Sequence, residues 1–289
     1  WHDWYLATNL TKGEGLDNHL LKGLEPKGVP KGLQNTVYPF NYNDLKTLEN
    51  IIENHKIGVV KMEVERNQKP SQYYLQEVRR LCTKNRIVLI FDECTSGFRE
   101  TFGGLHKKYG VTPDMCIFGK ALGNGYAITA VIGKGEIMDE AQNTFISSTF
   151  WTERIGPTAA LKTLEIMERE KSWVYITNIG NYVRDRWKDI FEKYEIEYNM
   201  NGIAALSGFS VTSYNSIASK TFVTQEMLKV GYLAGSNFYA STSHSLEIIN
   251  DYLNEFEAVI ERIANCENDE ELLKLIDGPL CHSGFERLN

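Results

Sequence analysis

Apolar residues along this chain recur with two periods, and the alternation between them outlines the fold. Asn43 to His55 carries helical spacing and leads into an extended apolar run, Ile57 to Glu63. Pro70 to Asn85 is amphipathic, with Tyr73, Tyr74, Val78 and Leu81 forming one apolar stripe, and it feeds a second run, Ile87 to Phe91, that stops on Asp92-Glu93. Strand, helix and strand joined by short links predict a parallel pair with a right-handed crossover. A third run, Met115 to Phe118, stops on Gly119-Lys120, and a glycine-broken turn, Ala121 to Gly125, separates it from a further strand, Ala127 to Ile132. Helices over Ile155 to Arg169 and Val174 to Tyr194 follow, then a glycine-punctuated strand, Ala204 to Thr212, and helices near Thr224 to Lys229 and Leu246 to Ile263. The pattern predicts an α/β protein: a mixed, mostly parallel sheet flanked by helices, then a smaller α+β part. The expected boundary lies near residue 190, dividing the chain into 1–190 and 191–289.

Composition narrows the class. A chain of 289 residues, 42% hydrophobic and 24% charged, is long enough to bury two cores. No run approaches the roughly 18 apolar residues of a membrane-spanning helix, and a net charge of -7 disfavours a nucleic-acid partner. The five cysteines (Cys82, Cys94, Cys116, Cys266, Cys281) are odd in number and scattered. They predict reduced thiols and a cytoplasmic location. Neither they nor the six dispersed histidines have metal-ligand spacing, so no metal site is expected.

Candidate chemistry concentrates where two apolar strands stop. The carboxyl ends of buried strands in an α/β sheet converge on the ligand crevice, so one strand would bring the carboxylate of Asp92 and another the amine of Lys120. An amine in a desolvated crevice loses its proton more readily and becomes a nucleophile toward carbonyls. Pyridoxal phosphate requires such a lysine, together with a carboxylate that keeps its pyridine nitrogen protonated. From local sequence alone, Lys120 reads more readily as a solvated head on an apolar stem, and Asp92-Glu93 equally as the start of a loop or a helix cap.

The surrounding wording separates these readings. Leu89-Ile90-Phe91-Asp92-Glu93-Cys94-Thr95-Ser96-Gly97-Phe98-Arg99, then Gly110-Val111-Thr112-Pro113-Asp114, then Phe118-Gly119-Lys120-Ala121-Leu122-Gly123-Asn124-Gly125 resemble the class III pyridoxal-phosphate aminotransferases, in particular the glutamate-1-semialdehyde aminomutase branch. Further matches lie at Trp1-His2-Asp3-Trp4, at Phe145 to Trp151, at Gln225 to Leu228 and at Ser241 to His244. The resemblance implies a fold type I transferase that forms a Schiff base through Lys120, with Asp92 on the pyridine nitrogen and Cys94 where the family usually packs a valine on the ring. It implies that Thr149 reaches the cofactor phosphate of a neighbouring subunit, assisted by Ser148, and hence a homodimer with shared sites. It also implies small-molecule partners, an amino donor and a carbonyl acceptor.

Departures from the family pattern leave alternatives open. Phe150-Trp151-Thr152-Glu153-Arg154 replace the small residues and proline that follow the family threonine, and Val64 replaces the proline after Glu63. These changes favour a second reading, an aminotransferase for a keto-sugar or cell-envelope precursor. A third is a catalytically silent relative acting as an interaction protein, against which the retained Lys120 and Asp92 argue. The family's phosphate loop and ring-stacking aromatic precede the Trp-His-Asp-Trp stretch and are not in this sequence, so it reads as a piece of a longer protein. Cys94 also reads as an ordinary buried thiol, and Ser147-Ser148-Thr149 as a helix cap. Glu63 and His244 read more readily as structural, Arg99 either as a carboxylate anchor or as half of an ion pair. Glu93 should face away from Asp92 by strand alternation. Trp1-His2-Asp3-Trp4 reads as loop packing, Gly133-Lys134-Gly135 is too short for a nucleotide loop, and Gly284 to Leu288 carries no assignable chemistry.

Overall fold

The computed structural model describes residues 3–12, 15–16 and 24–282, which divide into two compact units: residues up to 57 together with 281–282, and residues 58–280. The first unit holds helices α1 (Asp3–Leu6), α2 (Asn9–Lys12) and α3 (Leu45–Asn54). Asp44 caps α3 by accepting the Thr47 N–H at 3.1 Å, which satisfies a donor that no helical carbonyl can reach.

The second unit begins with β1 (Val59–Glu63), α4 (Tyr74–Lys84), β2 (Val88–Asp92), α5 (His106–Tyr109), β3 (Met115–Phe118) and β4 (Ala130–Gly133). The four strands form one sheet in the order β1-β2-β3-β4, parallel across the first three and antiparallel at β4. Val60, Met62, Leu89, Phe91, Cys116 and Phe118 are buried on one face of this sheet. Helix α4 packs against β2 and buries Tyr74, Leu75, Val78, Leu81 and Cys82. Asp114 fixes the register from below β3. It accepts the Leu89 N–H at 2.8 Å and ion pairs with Arg79 and Lys134, each at 2.7 Å. Burial alone would raise this carboxyl, but those donors hold it below the ordinary carboxylate range.

Helices α6 (Gly135–Met138), α7 (Ile155–Glu170) and α8 (Ser172–Lys193) lead to a three-stranded antiparallel sheet of β5 (Tyr198–Asn201), β6 (Leu206–Val211) and β7 (Asn237–Tyr239). Helices α9 (Ser216–Lys229), α10 (Leu246–Ala264) and α11 (Asp269–Lys274) complete the unit. Its core is an aromatic cluster in which Trp187 meets Phe209 edge-on at 4.9 Å while Phe256 packs on Phe191 and Phe209. The buried indole N–H of Trp187 donates to the Tyr252 hydroxyl at 3.0 Å. Strands β5 and β7 and helix α11 are additions to the sequence-based expectation. The two strands are four and three residues long and only partly buried, so their alternation is too short to register.

The two sheets of this unit are tied by the loop after β2. Glu100 accepts the Ala204 N–H at 2.8 Å while also pairing with Lys108 at 2.7 Å, and Thr177 on α8 donates to the Arg99 carbonyl at 3.4 Å. Helix α8 itself closes on the chain before β6 at Gly180, where a Cβ would lie 1.9 Å from the Ala204 carbonyl oxygen. Alanine normally stabilises a helix interior by about 1 kcal/mol over glycine. At Gly180 the backbone contact reverses the sign, so Gly180→Ala is expected to lower the thermal midpoint in a circular-dichroism melt.

A second test concerns Glu226 on α9. Burial would raise its carboxyl, but hydrogen bonds from Lys229 (2.8 Å), Gln225 (2.7 Å) and Arg262 outweigh burial and hold it at about 2, against 4.5 unperturbed. Because the folded value is depressed, the stabilisation is complete above the unfolded value and is lost as pH falls from about 4.5 toward about 2. Glu226→Gln is expected to cost about 2 kcal/mol at pH 7 and to flatten the acid limb of a urea-midpoint-versus-pH curve.

Candidate active site

Parallel pairing of β2 with β3, in the register Asp92 opposite Ile117, brings the ends of both strands to one edge of the sheet. Asp92 ends β2 half-buried. Its Oδ1 accepts the Cys94 N–H at 3.2 Å and its Oδ2 accepts from Lys61 Nζ at 2.6 Å. Burial pushes this carboxyl up, and Lys61 and the Cys94 donors more than reverse the effect, leaving it below the ordinary range and ionised at neutral pH.

Lys120 follows β3 in a single 3-10 turn, Lys120–Leu122, with a backbone φ of 43°. That left-handed conformation is uncommon outside glycine and is frequently retained where function requires it. The turn is closed by the Gly123 and Asn124 N–H groups, both donating to the Lys120 carbonyl at 3.1 Å. Gly123 is needed there, since a Cβ would lie 2.1 Å from the Tyr126 carbonyl oxygen. The exposed Lys120 Nζ donates to Thr95 Oγ1 at 2.6 Å. Cys94 is near enough to both charged groups to feel them. Burial and Asp92 raise its thiol pKa while Lys120 and Lys61 act to lower it, the net direction being upward.

Asp92, Cys94 and Lys120 are thus brought together by the ends of β2 and β3. Ser148 and Thr149 are not. They lie in the exposed segment before α7, where Ser148 Oγ accepts the Phe150 N–H at 3.1 Å and neither side chain reaches a described residue of the Asp92 and Lys120 cluster. The cap of α7 is Glu153, whose carboxylate accepts the Ile155 and Gly156 N–H groups, and the Ser147-Ser148-Thr149 run has no capping role.

Glu93 faces away from Asp92, as alternation requires, into a buried network. Its carboxylate accepts from Leu105 N, from His106 N at 3.1 Å, from His106 Nδ1 at 2.6 Å and from Ser96 Oγ at 3.3 Å. Cys116 Sγ lies 3.6 Å from the same His106 nitrogen, making Glu93, His106 and Cys116 a converging set of metal-ligating types. Both Glu93 oxygens already accept two hydrogen bonds each, and burial, reinforced by Glu93, pushes the Cys116 thiol up to about 12. The set therefore works as a hydrogen-bonded cap on α5.

The remaining candidates resolve by their partners. Glu63 stands opposite Asp92 in the β1–β2 register and pairs with Arg66 at 3.2 Å. Burial first, and then Asp92, raise its carboxyl. His244 Nδ1 accepts the Ser241 N–H at 3.1 Å and its ring packs on Phe238, so it is a satisfied histidine whose pKa is lowered by burial. Arg99 makes no ion pair with a described carboxylate, and its buried Nε has no hydrogen-bond partner among the described residues. Lys134 is occupied by Asp114. Trp1, His2 and Gly284 to Leu288 lie outside the described residues.

A cavity of about 210 Å³ opens beside Thr95, the residue that receives Lys120. Glu65, Arg66, Asn67, Asn201, Asn237 and Tyr239 contribute most of its polar lining. The Oδ1 atoms of Asn201 and Asn237 converge above Gly208, lying 2.7 and 2.8 Å from where a Cβ would stand. Strand register puts the three residues in one row across β5, β6 and β7.

Sequence reasoning did not single out Lys61, Thr95 or Arg66. Lys61 left a trace, since it is the one cation in an otherwise apolar half-strand and shares its parity with Glu63. The contact of Thr95 with Lys120 spans 25 residues and exists only after folding.

An ionised carboxylate, a primary amine and a small thiol near both fit the needs of a pyridine ring bearing an aldehyde. Comparisons with known proteins agree. Residues 67–252 match the Aminotransferase class-III family. The chain is 36% identical over 211 residues to 3-aminobutyryl-CoA aminotransferase of Cloacimonas acidaminovorans, covering 70% of this chain and 47% of that protein. It is 29% identical over 235 residues to glutamate-1-semialdehyde 2,1-aminomutase of Prosthecochloris aestuarii, covering 74% and 54%. The chain therefore spans about half the length of these relatives. Among solved structures, the FumI protein of Sphingopyxis sp. MTA144 superposes with a TM-score of 0.78 at 19% identity, covering 93% of this chain and 71% of that one. An omega-transaminase from Sphaerobacter thermophilus superposes at 0.77 and 20%, covering 92% and 66%. The chain belongs to the class-III aminotransferases, pyridoxal-phosphate proteins of fold type I.

Proposed function

We propose that the protein carrying this chain moves an amino group between a small-molecule donor and a carbonyl acceptor, or within one molecule as the aminomutases do. The observation that carries this reading is the convergence of ionised Asp92 and the amine of Lys120 at the ends of adjacent parallel strands. Lys120 Nζ would hold the cofactor at its aldehyde and, when free, would carry the proton that leaves the substrate carbon. Asp92 would hold the ring nitrogen in its protonated form, and Cys94 would pack beside the ring. When bound, pyridoxal phosphate supplies the electron sink for the carbanion left by that proton.

Thr149 and Ser148 are assigned to the cofactor phosphate of a neighbouring subunit in a homodimer. In support, Phe145, Ile146, Phe150 and Trp151 around them are between 60% and 97% exposed, an apolar surface of the kind that subunit contact covers. The five cysteines are all free, which supports a reducing, cytoplasmic setting. Among the described residues no helix is long and apolar enough to cross a membrane. A division of the chain near residue 190, between the cofactor-binding part and a small terminal part, is retained as part of this reading.

The polar cavity favours one substrate reading over a second. Its cation, Arg66, is already paired with Glu63, and Glu65 beside it accepts from Tyr109, so the described lining has no uncommitted positive charge for an anion. Asparagine amides, which both donate and accept, suit the hydroxyls of a keto-sugar better than a carboxylate. Turnover of an uncharged keto-sugar in a donor and acceptor panel would establish this, whereas isomerisation with no second substrate would single out a mutase.

The central test is visible absorption of the full-length protein with pyridoxal phosphate, then borohydride reduction and peptide mapping. A yellow band and an adduct on Lys120 are expected, both lost in Lys120→Ala. An adduct on another lysine, or no band, would leave the silent-scaffold alternative. In steady-state assays Lys120→Ala and Asp92→Asn are each expected to lower kcat by about 10²–10⁴, the usual contribution of a positioned proton-transfer group.

A further inference from the structure

Lys61 is the feature of this site that the amino-transfer chemistry does not by itself require. It rises from β1 on the same face as Asp92 and pairs with it at 2.6 Å, the shortest reach of any described cation toward that carboxylate. A carboxylate has about four acceptor positions. Here Lys61 donates to Oδ2, the Cys94 N–H donates to Oδ1 and the Cys94 thiol is a third donor, which leaves one acceptor position for a further donor.

We propose that Lys61 shares Asp92 with the ring nitrogen of pyridoxal phosphate and thereby sets how firmly that nitrogen holds its proton. This inference rests on the assignment of Asp92 to the ring nitrogen. An ammonium on one oxygen withdraws negative charge from the other and adds a positive field at the ring, and both effects disfavour the pyridinium. The consequence is a tempered electron sink. Lys61 is a positioning residue in this scheme, because it acts on the cofactor only through Asp92.

The other charged or titratable groups around Asp92 have their own commitments. Glu63, directly opposite, pairs with Arg66 and shares its carboxyl's environment with Lys61. Cys94 feels Asp92, Lys120 and Lys61 together. Lys120 Nζ is engaged by Thr95. All of these groups remain when Lys61 is replaced, so the comparison removes one charge and leaves the other partners in place.

The experiment uses full-length protein loaded with pyridoxal phosphate labelled with 15N in the ring, followed by 15N NMR across pH. The ring nitrogen of the unsubstituted protein is expected to lose its proton about one pH unit lower than in Lys61→Met. Lys61→Gln, similar in length and uncharged, should behave as Lys61→Met does, and Lys61→Arg should restore the original titration. Either neutral variant decides the matter if the other fails to fold. Coincident curves, or a shift in the opposite direction, would overturn the inference while leaving the assignment of Lys120 intact. Absence of a borohydride adduct on Lys120 would instead remove the amino-transfer reading and this inference with it.

Discussion

The site depends first on parallel pairing across β1, β2 and β3. Parallel strands all deliver their carboxyl ends to one edge, so residues 31 and 28 positions apart in sequence meet without any local turn to join them. Lys61, Glu63, Asp92, Cys94 and Lys120 are neighbours for that reason alone. The register is held below by Asp114, which ties the start of β2 to the chain before β3, and the buried face of the sheet is held by α4. A slip of one residue would exchange Asp92 for Glu93 and bury the wrong carboxylate.

The division of labour between Asp92 and Glu93 shows how strongly surroundings decide the chemistry of like groups. Both are carboxylates at one strand end. Glu93 is enclosed, and its oxygens are consumed by the amides that open α5, the His106 ring and Ser96. Asp92 is open on one side and balanced by a lysine, so it stays charged and has acceptor capacity left. Two carboxylates facing each other across β1 and β2, Asp92 and Glu63, would repel. Lys61 and Arg66 alternate with them in charge, and the row is tolerated as a network of neighbours.

The cavity beside Thr95 is assembled differently. Its walls come from the loops after β1 and β2 and from a row of short residues on the small sheet, with Gly208 giving two asparagine amides room to converge. The ties through Glu100 to Ala204 and through Thr177 to Arg99 hold those walls in place. On the proposed reading the ends of β1, β2 and β3 carry the groups that would face the cofactor, while loops and short strands line the cavity. Proteins of one family can therefore keep the first and vary the second.

What the sequence determined by itself were most of the long elements and the two strand ends that carry Asp92 and Lys120; α9 is the exception, since it runs over Ser216–Lys229 where only Thr224 to Lys229 was expected. Periodicity over ten or more residues, and apolar runs stopping on Asp92 and on Gly119-Lys120, are local properties that folding does not change. The helices α3, α4, α7, α8 and α10 fall within a few residues of their expected limits. Only the tertiary structure decided that Lys61 occupies Asp92, that Thr95 receives Lys120, that Glu153 rather than the serine run caps α7, and that Glu93, His106 and Cys116 form one network. Each of these turns on which oxygen or nitrogen lies within hydrogen-bonding distance across separate elements. A sequence states the residues that can make such contacts, and the choice among them is made by strand register and packing.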